Sequence, residues 1–335
     1  MPVPNVQSTR RHSRAALRLV KTRDLSQEEW LSVRRQGIGS SDAAAAIGLN
    51  PHQSMLELWM IKTGRAHLLP HSDPGNRTSA TYWGSLLEPI VAAHYAHETG
   101  NKVRKINAVL QHPDPDKAWM LANIDREILG ASDVQILECK TAGEFGARIW
   151  REGVPEYVQC QVQHQLAVTG KEAADVCVLI CGQEIQIHRI DRDDGLIEGL
   201  IRLEREFWHY VERDIQPPPD GSESADRALR SLYAYDYGDV ADFRDNRAMS
   251  AVFADLQAIR EEIAIRDKIE QQLKQTIQQM MGSSSRALFE TGSVSWKRSK
   301  DSIQLDTSRL EADHPTLVKS YLSPKAGSRR FLVSP

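Results

Sequence analysis

The sequence predicts an α/β protein with a helical C-terminal extension, and three observations carry that prediction. Amphipathic helix patterns alternate with apolar strand runs between residues 26 and 215. Two hairpins are legible, one turning at Gly130-Ala131-Ser132-Asp133 and one at Gly182-Gln183. Beyond Pro217-Pro218-Pro219, apolar residues from Val252 to Met280 recur at 3-4 spacing with no strand alternation. The length of 335 residues suits one large domain with an appendage, or two domains.

The elements follow in order. Ser26-Gln27-Glu28-Glu29 is a capping box that starts a short helix, which Gly37-Ile38-Gly39 interrupts. Ser40-Ser41-Asp42 caps a second helix over Ala43–Ile47. Ser54-Met55-Leu56-Glu57 reads as another capping box, with its helix stopping at Gly64, and 66–79 reads as a polar loop. Tyr82–Thr99 is a helix stopped by Gly100, with Leu86, Leu87, Ile90, Val91 and Tyr95 as its apolar stripe. Pro89 predicts either a start near Leu87 or a kink. Lys102–Gln111 reads as a strand, followed by a hairpin of Trp119–Leu129 and Ser132–Lys140. Pro155–Thr169 is a helix ended by Gly170, Asp175–Cys181 and Glu184–Ile190 form the second hairpin, and Gly195–Asp214 is an amphipathic helix. A long helix over about 245–281 follows, its stripe broken by Arg266 and Glu270, then short strands at Ala287–Lys297 and Ser302–Asp306. The tryptophans, at helical spacing, read as core.

Formal net charge is -3, so the whole chain is not a basic nucleic-acid binder. Local patches differ: Arg10, Arg11, Arg14, Arg18, Lys21 and Arg23 crowd a tail, residues 1–25, read as flexible. Lys297, Arg298, Lys300, Lys325, Arg329 and Arg330 mark the other end. Such patches supply phosphate affinity. Cys139, Cys160, Cys177 and Cys181 lack Cys-x-x-Cys spacing, which argues against zinc and iron–sulfur sites. Their apolar neighbours predict buried thiols in a reducing cytoplasm. The N-terminus has no secretory apolar core, and an acid-poor organellar presequence is the alternative.

Glu138-Cys139-Lys140 is the chemical centre of the sequence. Side chains alternate along a strand, so Glu138 and Lys140 share a side, and a hairpin brings Asp125 close. Two carboxylates and an ammonium suit a hard cation beside a charge stabiliser, the usual layout for phosphodiester hydrolysis. Taken alone the pattern also describes a surface ion-pair cluster.

Four segments share one order: Arg34-Arg35-Gln36-Gly37-Ile38-Gly39-Ser40-Ser41-Asp42, then Trp83-Gly84-Ser85-Leu86-Leu87-Glu88-Pro89, then Asp125 with Glu138-Cys139-Lys140, then Tyr157-Val158-Gln159-Cys160-Gln161-Val162-Gln163-His164. Over about residues 26–215 the chain resembles the YqaJ-like viral recombinase nucleases, relatives of phage lambda exonuclease in the PD-(D/E)XK superfamily. The resemblance implies a restriction-endonuclease-like core: a mixed central sheet flanked by helices. The implied organisation is a nuclease domain over 26–215, a proline linker over 216–220, and an accessory region over 221–335 with a long helix and a small β segment.

The resemblance also implies roles. Glu88, Asp125 and Glu138 would be metal-binding acids, with the Cys139 carbonyl as a further ligand. Lys140 would be the motif lysine and Gln161 the glutamine beside the active centre, with Tyr157 one turn away. Arg35 would engage a terminal 5′ phosphate, with the Ser40 and Ser41 backbone nearby. Ile124 stands where the superfamily name has proline. Two Mg²⁺ ions, replaceable by Mn²⁺, are implied, together with resection of one strand of linear duplex DNA for phage-type recombination. A single-strand annealing recombinase is the implied partner, a trimer the implied assembly, and a bacterial or phage-infected cytoplasm the setting. The alternatives are an endonuclease or nickase on the same fold, and a non-catalytic DNA-binding or assembly protein. Read one at a time, Glu88 is a helix-terminal acid, Arg35 a surface cation, Gln161 a buried amide, and His94, His97 and His164 structural residues.

Overall fold

Ser26 opens the first helix with the reciprocal cap expected of it: its hydroxyl accepts from the Glu29 N–H while Glu29 accepts from the Ser26 N–H. The structure is a computed structural model and describes residues 15–23, 25–70, 76–324 and 327–334. Arg10, Arg11, Arg14 and Lys325 of the basic patches lie outside the described residues. The chain divides into two units, Met1–Ala234 and Tyr235–Pro335.

In the first unit the order is β1 (Leu17–Lys21), α1 (Gln27–Arg35), β2 (Ile38–Gly39), α2 (Ala43–Ala46), α3 (Met55–Lys62), α4 (Ala80–Thr99), β3 (Lys102–Arg104), β4 (Ala108–Gln111), β5 (Met120–Ala122), β6 (Arg126–Leu129), β7 (Ile136–Ala142), α5 (Glu144–Trp150), α6 (Glu156–Thr169), β8 (Ala173–Ile180), β9 (Glu184–Asp191), α7 (Asp194–Glu212) and α8 (Glu223–Leu232). The main sheet has the order β3-β6-β7-β8-β9. Only β7 and β8 are parallel; the other pairs are antiparallel. The sheet is mixed, as expected. A second sheet has the order β1-β4-β5-β2. Part of the predicted tail is therefore a strand, with Leu17 opposite Gln111 and Lys21 opposite Ala108.

Two expected strands each split in two. Lys102–Gln111 leaves the main sheet after Arg104 and enters the second at Ala108, and Trp119–Leu129 crosses the other way between Ala122 and Arg126. An apolar run does not reveal which neighbour its backbone pairs with. Asp125 thus lies at a crossover and not within a continuous hairpin strand. The second sheet closes on a parallel contact, Ile38 N–H to the Trp119 carbonyl at 2.7 Å. Gly37 permits it, since a Cβ there would lie 2.3 Å from that carbonyl oxygen.

Helices cover both faces of the main sheet. Val91, Ala92 and Tyr95 of α4 pack on Leu137 and Cys177, whereas Val158, Val162 and Leu166 of α6 share a cluster with Ile136, Val176 and Val178. Pro89 lies inside α4, which runs through it from a Ser79 cap. Leu86 and Ile90 of the expected stripe are exposed. Ser54 caps α3, but Glu57 does not reach back. Instead the Ser224 hydroxyl accepts from the Ser54 N–H at 2.8 Å and donates to Glu57 at 2.6 Å, which ties α8 to α3 beyond the proline run. Trp59, Trp119, Trp150 and Trp208 are buried, but Trp83 is exposed, its indole donating to the Arg77 carbonyl. Cys177 is buried, whereas Cys181 is exposed in the β8–β9 turn with φ 51°, so the expectation of four buried thiols fails at a turn position.

The second unit holds α9 (Arg247–Met281), β10 (Arg286–Phe289), β11 (Gly292–Ser295), α10 (Thr307–Asp313) and α11 (Pro315–Tyr321). The expected strand at Ala287–Lys297 is a hairpin, and Ser302–Asp306 forms no strand. Among the described residues no helix is long and apolar enough to cross a membrane.

Candidate active site

Strand alternation in β7 sets the site. Leu137 faces α4 and Ile136 faces α6, so Glu138 also falls on the α6 side, where it is buried. Its first oxygen meets Lys140 Nζ at 2.7 Å and accepts from Gln161 Nε2 at 2.6 Å. Lys140 Nζ also donates to Gln161 Oε1 at 2.8 Å, which closes a three-residue ring. The second Glu138 oxygen accepts from Gln165 Nε2 at 2.7 Å. Gln161 and Gln165 lie one turn apart on α6, with Tyr157 one turn earlier. Gln165 was not foreseen, although its spacing from Gln161 was the signal for it.

Asp125 joins this group through the backbone. Pairing of β6 with β7 reaches only to Arg126 opposite Leu137, so the departing chain leaves the Cys139 N–H without a ladder partner. Asp125 Oδ2 accepts that N–H at 2.8 Å. A strand residue's N–H and carbonyl point to the same edge, so the Cys139 carbonyl faces the Asp125 side. Burial, then the Glu138 charge, push the Asp125 carboxyl up to about 8; Glu88 adds to the rise, while the Cys139 N–H and Lys140 oppose it. Burial also works against the Lys140 charge, but Glu138 outweighs it and holds the ammonium above its usual range.

Glu88 comes from α4. Its carboxylate takes Arg126 Nη1, and Lys105 stands at 3.4 Å. Arg126 also donates to the Asp125 carbonyl at 2.7 Å, which links Glu88 to the acid pair through a guanidinium. Arg126 and Lys105 were not anticipated, because their roles depend on where α4 crosses the sheet. Among the described residues, no three His, Cys, Asp or Glu side chains form a ready-made metal site. The donors nonetheless fit a hard divalent cation. They are carboxylate and carbonyl oxygens, Asp125 feels two acids of its own sign, and the buried Gln165 Oε1 lacks a hydrogen-bond partner beside Glu138.

A second polar cluster gathers the residues of the first motif. Asp42 accepts from Lys62 Nζ at 2.6 Å, from Arg34 and from the Gly39 N–H. Its side chain therefore holds this cluster and does not cap α2. Ser41 accepts from Arg34, and the buried Ser40 donates to the Asn123 carbonyl. That carbonyl also accepts from Gln165, so the two clusters share a backbone group. Arg35, in the last turn of α1, is exposed and makes no hydrogen bond or ion pair with the described residues. Tyr157 is partly buried and packs edge-on to His52. His164 is structural: fully buried, it meets Glu204 at 2.7 Å and the Leu121 carbonyl at 2.9 Å.

The family model for the YqaJ-like viral recombinase domain matches residues 29–172. The uncharacterized protein YqaJ of Bacillus subtilis (strain 168) is 34% identical over 329 residues, 95% of this chain and 98% of its own. Among solved structures, an alkaline exonuclease (LHK-Exo) from Laribacter hongkongensis superposes with a TM-score of 0.45 at 24% identity, over 56% of this chain and 94% of that one. A phage related exonuclease from Haemophilus somnus 129PT gives 0.40 at 12%, over 56% and 99%. The match to YqaJ runs almost end to end, and the family model spans every residue of the acid cluster: this chain belongs to the YqaJ-like viral recombinase family.

Proposed function

We propose that the protein is a Mg²⁺-dependent deoxyribonuclease that resects one strand of linear duplex DNA from an end, in phage-type recombination. One observation carries this reading: Asp125, Glu138, Lys140 and Gln161 converge on the end of β7, with the acids Glu138 and Glu88 adding to burial in disfavouring the Asp125 charge. Asp125, Glu138 and the Cys139 carbonyl would hold a divalent cation, with Glu88 as the acid for a second. Such ions, when bound, supply charge to activate water and to stabilise the leaving oxygen. Lys140 presents an ammonium to the scissile phosphate. Gln161 keeps Lys140 and Glu138 at fixed separation by bonding both. Arg35, exposed and without an ion pair among the described residues, is the residue for a 5′-terminal phosphate, which a guanidinium engages bidentately. A single-strand annealing protein would take up the strand that resection exposes.

End-labelled linear duplex and covalently closed circular DNA, each incubated with Mg²⁺, Mn²⁺ or chelator, test the reading. Loss of label from linear DNA with intact circles supports it. Nicked circles indicate an endonuclease, and binding without cleavage indicates a non-catalytic protein.

A further inference from the structure

α9 is a 35-residue helix whose apolar stripe is largely exposed, with Leu256 and Ile277 half-buried. Ile259, Ile263, Leu273 and Met280 are all more than half exposed. Marginal helix propensity does not hold a helix of this length in water without a surface against its apolar side. In heptad spacing the seam reads Leu256, Ile259, Ile263, Arg266, Glu270, Leu273, Ile277 and Met280. The two charged residues sit at its middle and are opposite in sign.

We propose that α9 is the seam of an antiparallel homodimer centred level with Lys268. The occupant of the stripe is a second copy of this chain, and symmetry selects it. A two-fold axis at that level sets Ile263 against Leu273 of the second copy, Ile259 against Ile277, and Leu256 against Met280. Each apolar residue then meets an apolar residue, over roughly 40 Å at 1.5 Å rise per residue. The same axis sets Arg266 against Glu270 in both directions, so the seam's two polar residues pair with each other. A parallel dimer would instead stack Arg266 on Arg266 and Glu270 on Glu270, both repulsive. Within one chain Glu270 reaches Lys274 at 2.7 Å, and Arg266 has no ion pair with the described residues. The dimer supplies the missing anion. Buried polar pairs of this kind specify register and orientation more than they add affinity.

Sedimentation equilibrium on the full chain tests the charge pairing. Arg266→Glu puts four acids at the axis and is expected to weaken self-association at least about tenfold. Arg266→Glu/Glu270→Arg restores it, with far-UV circular dichroism confirming helicity in each variant. Self-association unchanged by Arg266→Glu overturns the proposal. Cysteine crosslinking tests direction, in a Cys181→Ser background because Cys181 is exposed. A mixture of Ile259→Cys and Ile277→Cys proteins crosslinks, while neither does so alone. Crosslinking of each protein with itself, and none between them, means a parallel seam and also overturns the proposal.

Discussion

Asp42 is a buried carboxylate and Asp125 a half-buried one, and their surroundings treat them in opposite ways. Burial disfavours the charge on each. At Asp42, Lys62 and Arg34 outweigh burial and hold the carboxyl below its usual range. At Asp125, the neighbours Glu138 and Glu88 add to burial, and the carboxyl rises to about 8. The Asp42 cluster is neutralised within the chain and pins α1, α2 and α3 together. In the Asp125 cluster the cations Lys140 and Arg126 are engaged by Glu138 and Glu88, and the Asp125 carboxylate itself is met by the Cys139 N–H and by no cation among the described residues. A buried acid that carries its own counter-ions reads as architecture, and one that lacks them reads as a site.

The largest expected effect tests that division directly. Glu138→Gln and Asp125→Asn should each lower cleavage of linear duplex at least about a thousandfold. Asp125→Asn should leave the unfolding midpoint unchanged or raised, whereas Glu138→Gln also takes the Lys140 ammonium's partner and should lower it. Cleavage by Glu138→Gln at the parental rate would falsify the active-site assignment. Asp42→Asn should do the reverse in kind. It strands the buried Lys62 ammonium, and urea unfolding should show a loss of about 3–5 kcal/mol. A stable Asp42→Asn protein that cannot cut would erase the contrast.

Titration sharpens the comparison. Without a cation, folded Asp125 holds its proton more tightly than the unfolded chain, whose value is 3.8. Its contribution to stability is therefore fully present below that value and lost as pH rises through about 8. Added Mg²⁺ should oppose the alkaline loss and release protons on binding, so calorimetry in two buffers of different ionisation enthalpy should report different heats. The lowered carboxyl of Asp42 contributes with the opposite sign, above 3.8, and its contribution fades as pH falls through its folded value.

His164 is a smaller case. Burial opposes its charge, but Glu204 prevails and raises it above 6.5. Its contribution is complete below that value and lost as pH climbs through the raised one. Glu204→Gln should flatten this part of the alkaline limb in thermal unfolding. The smallest effect falls on a residue outside both clusters. Arg35→Ala should leave unfolding unaltered and reduce the preference for 5′-phosphate over 5′-hydroxyl ends by about tenfold. Equal end preference in mutant and parent would remove Arg35 from end reading.

Local periodicity made much of the candidate site legible. Strand alternation put Glu138 beside Lys140, and helical spacing aligned Tyr157 with Gln161 and, unread, Gln165. The caps at Ser26 and Ser54 were readable for the same reason, since a cap engages groups only three residues away. What lay beyond one element was decided by tertiary structure. Asp125 reaches Cys139 because the chain changes sheets there, a choice made by β4 and β2, which pair with β5. Glu88 meets Arg126 because α4 crosses the sheet at that level, and Asp42 gives up capping because Lys62 and Arg34 arrive from other helices. The sequence by itself determined which side chains share a face, because that follows from the backbone repeat. Only the packed fold decided which faces meet, and so which buried acid found a counter-ion within the chain and which did not, because burial and Coulomb energy depend on neighbours distant in sequence.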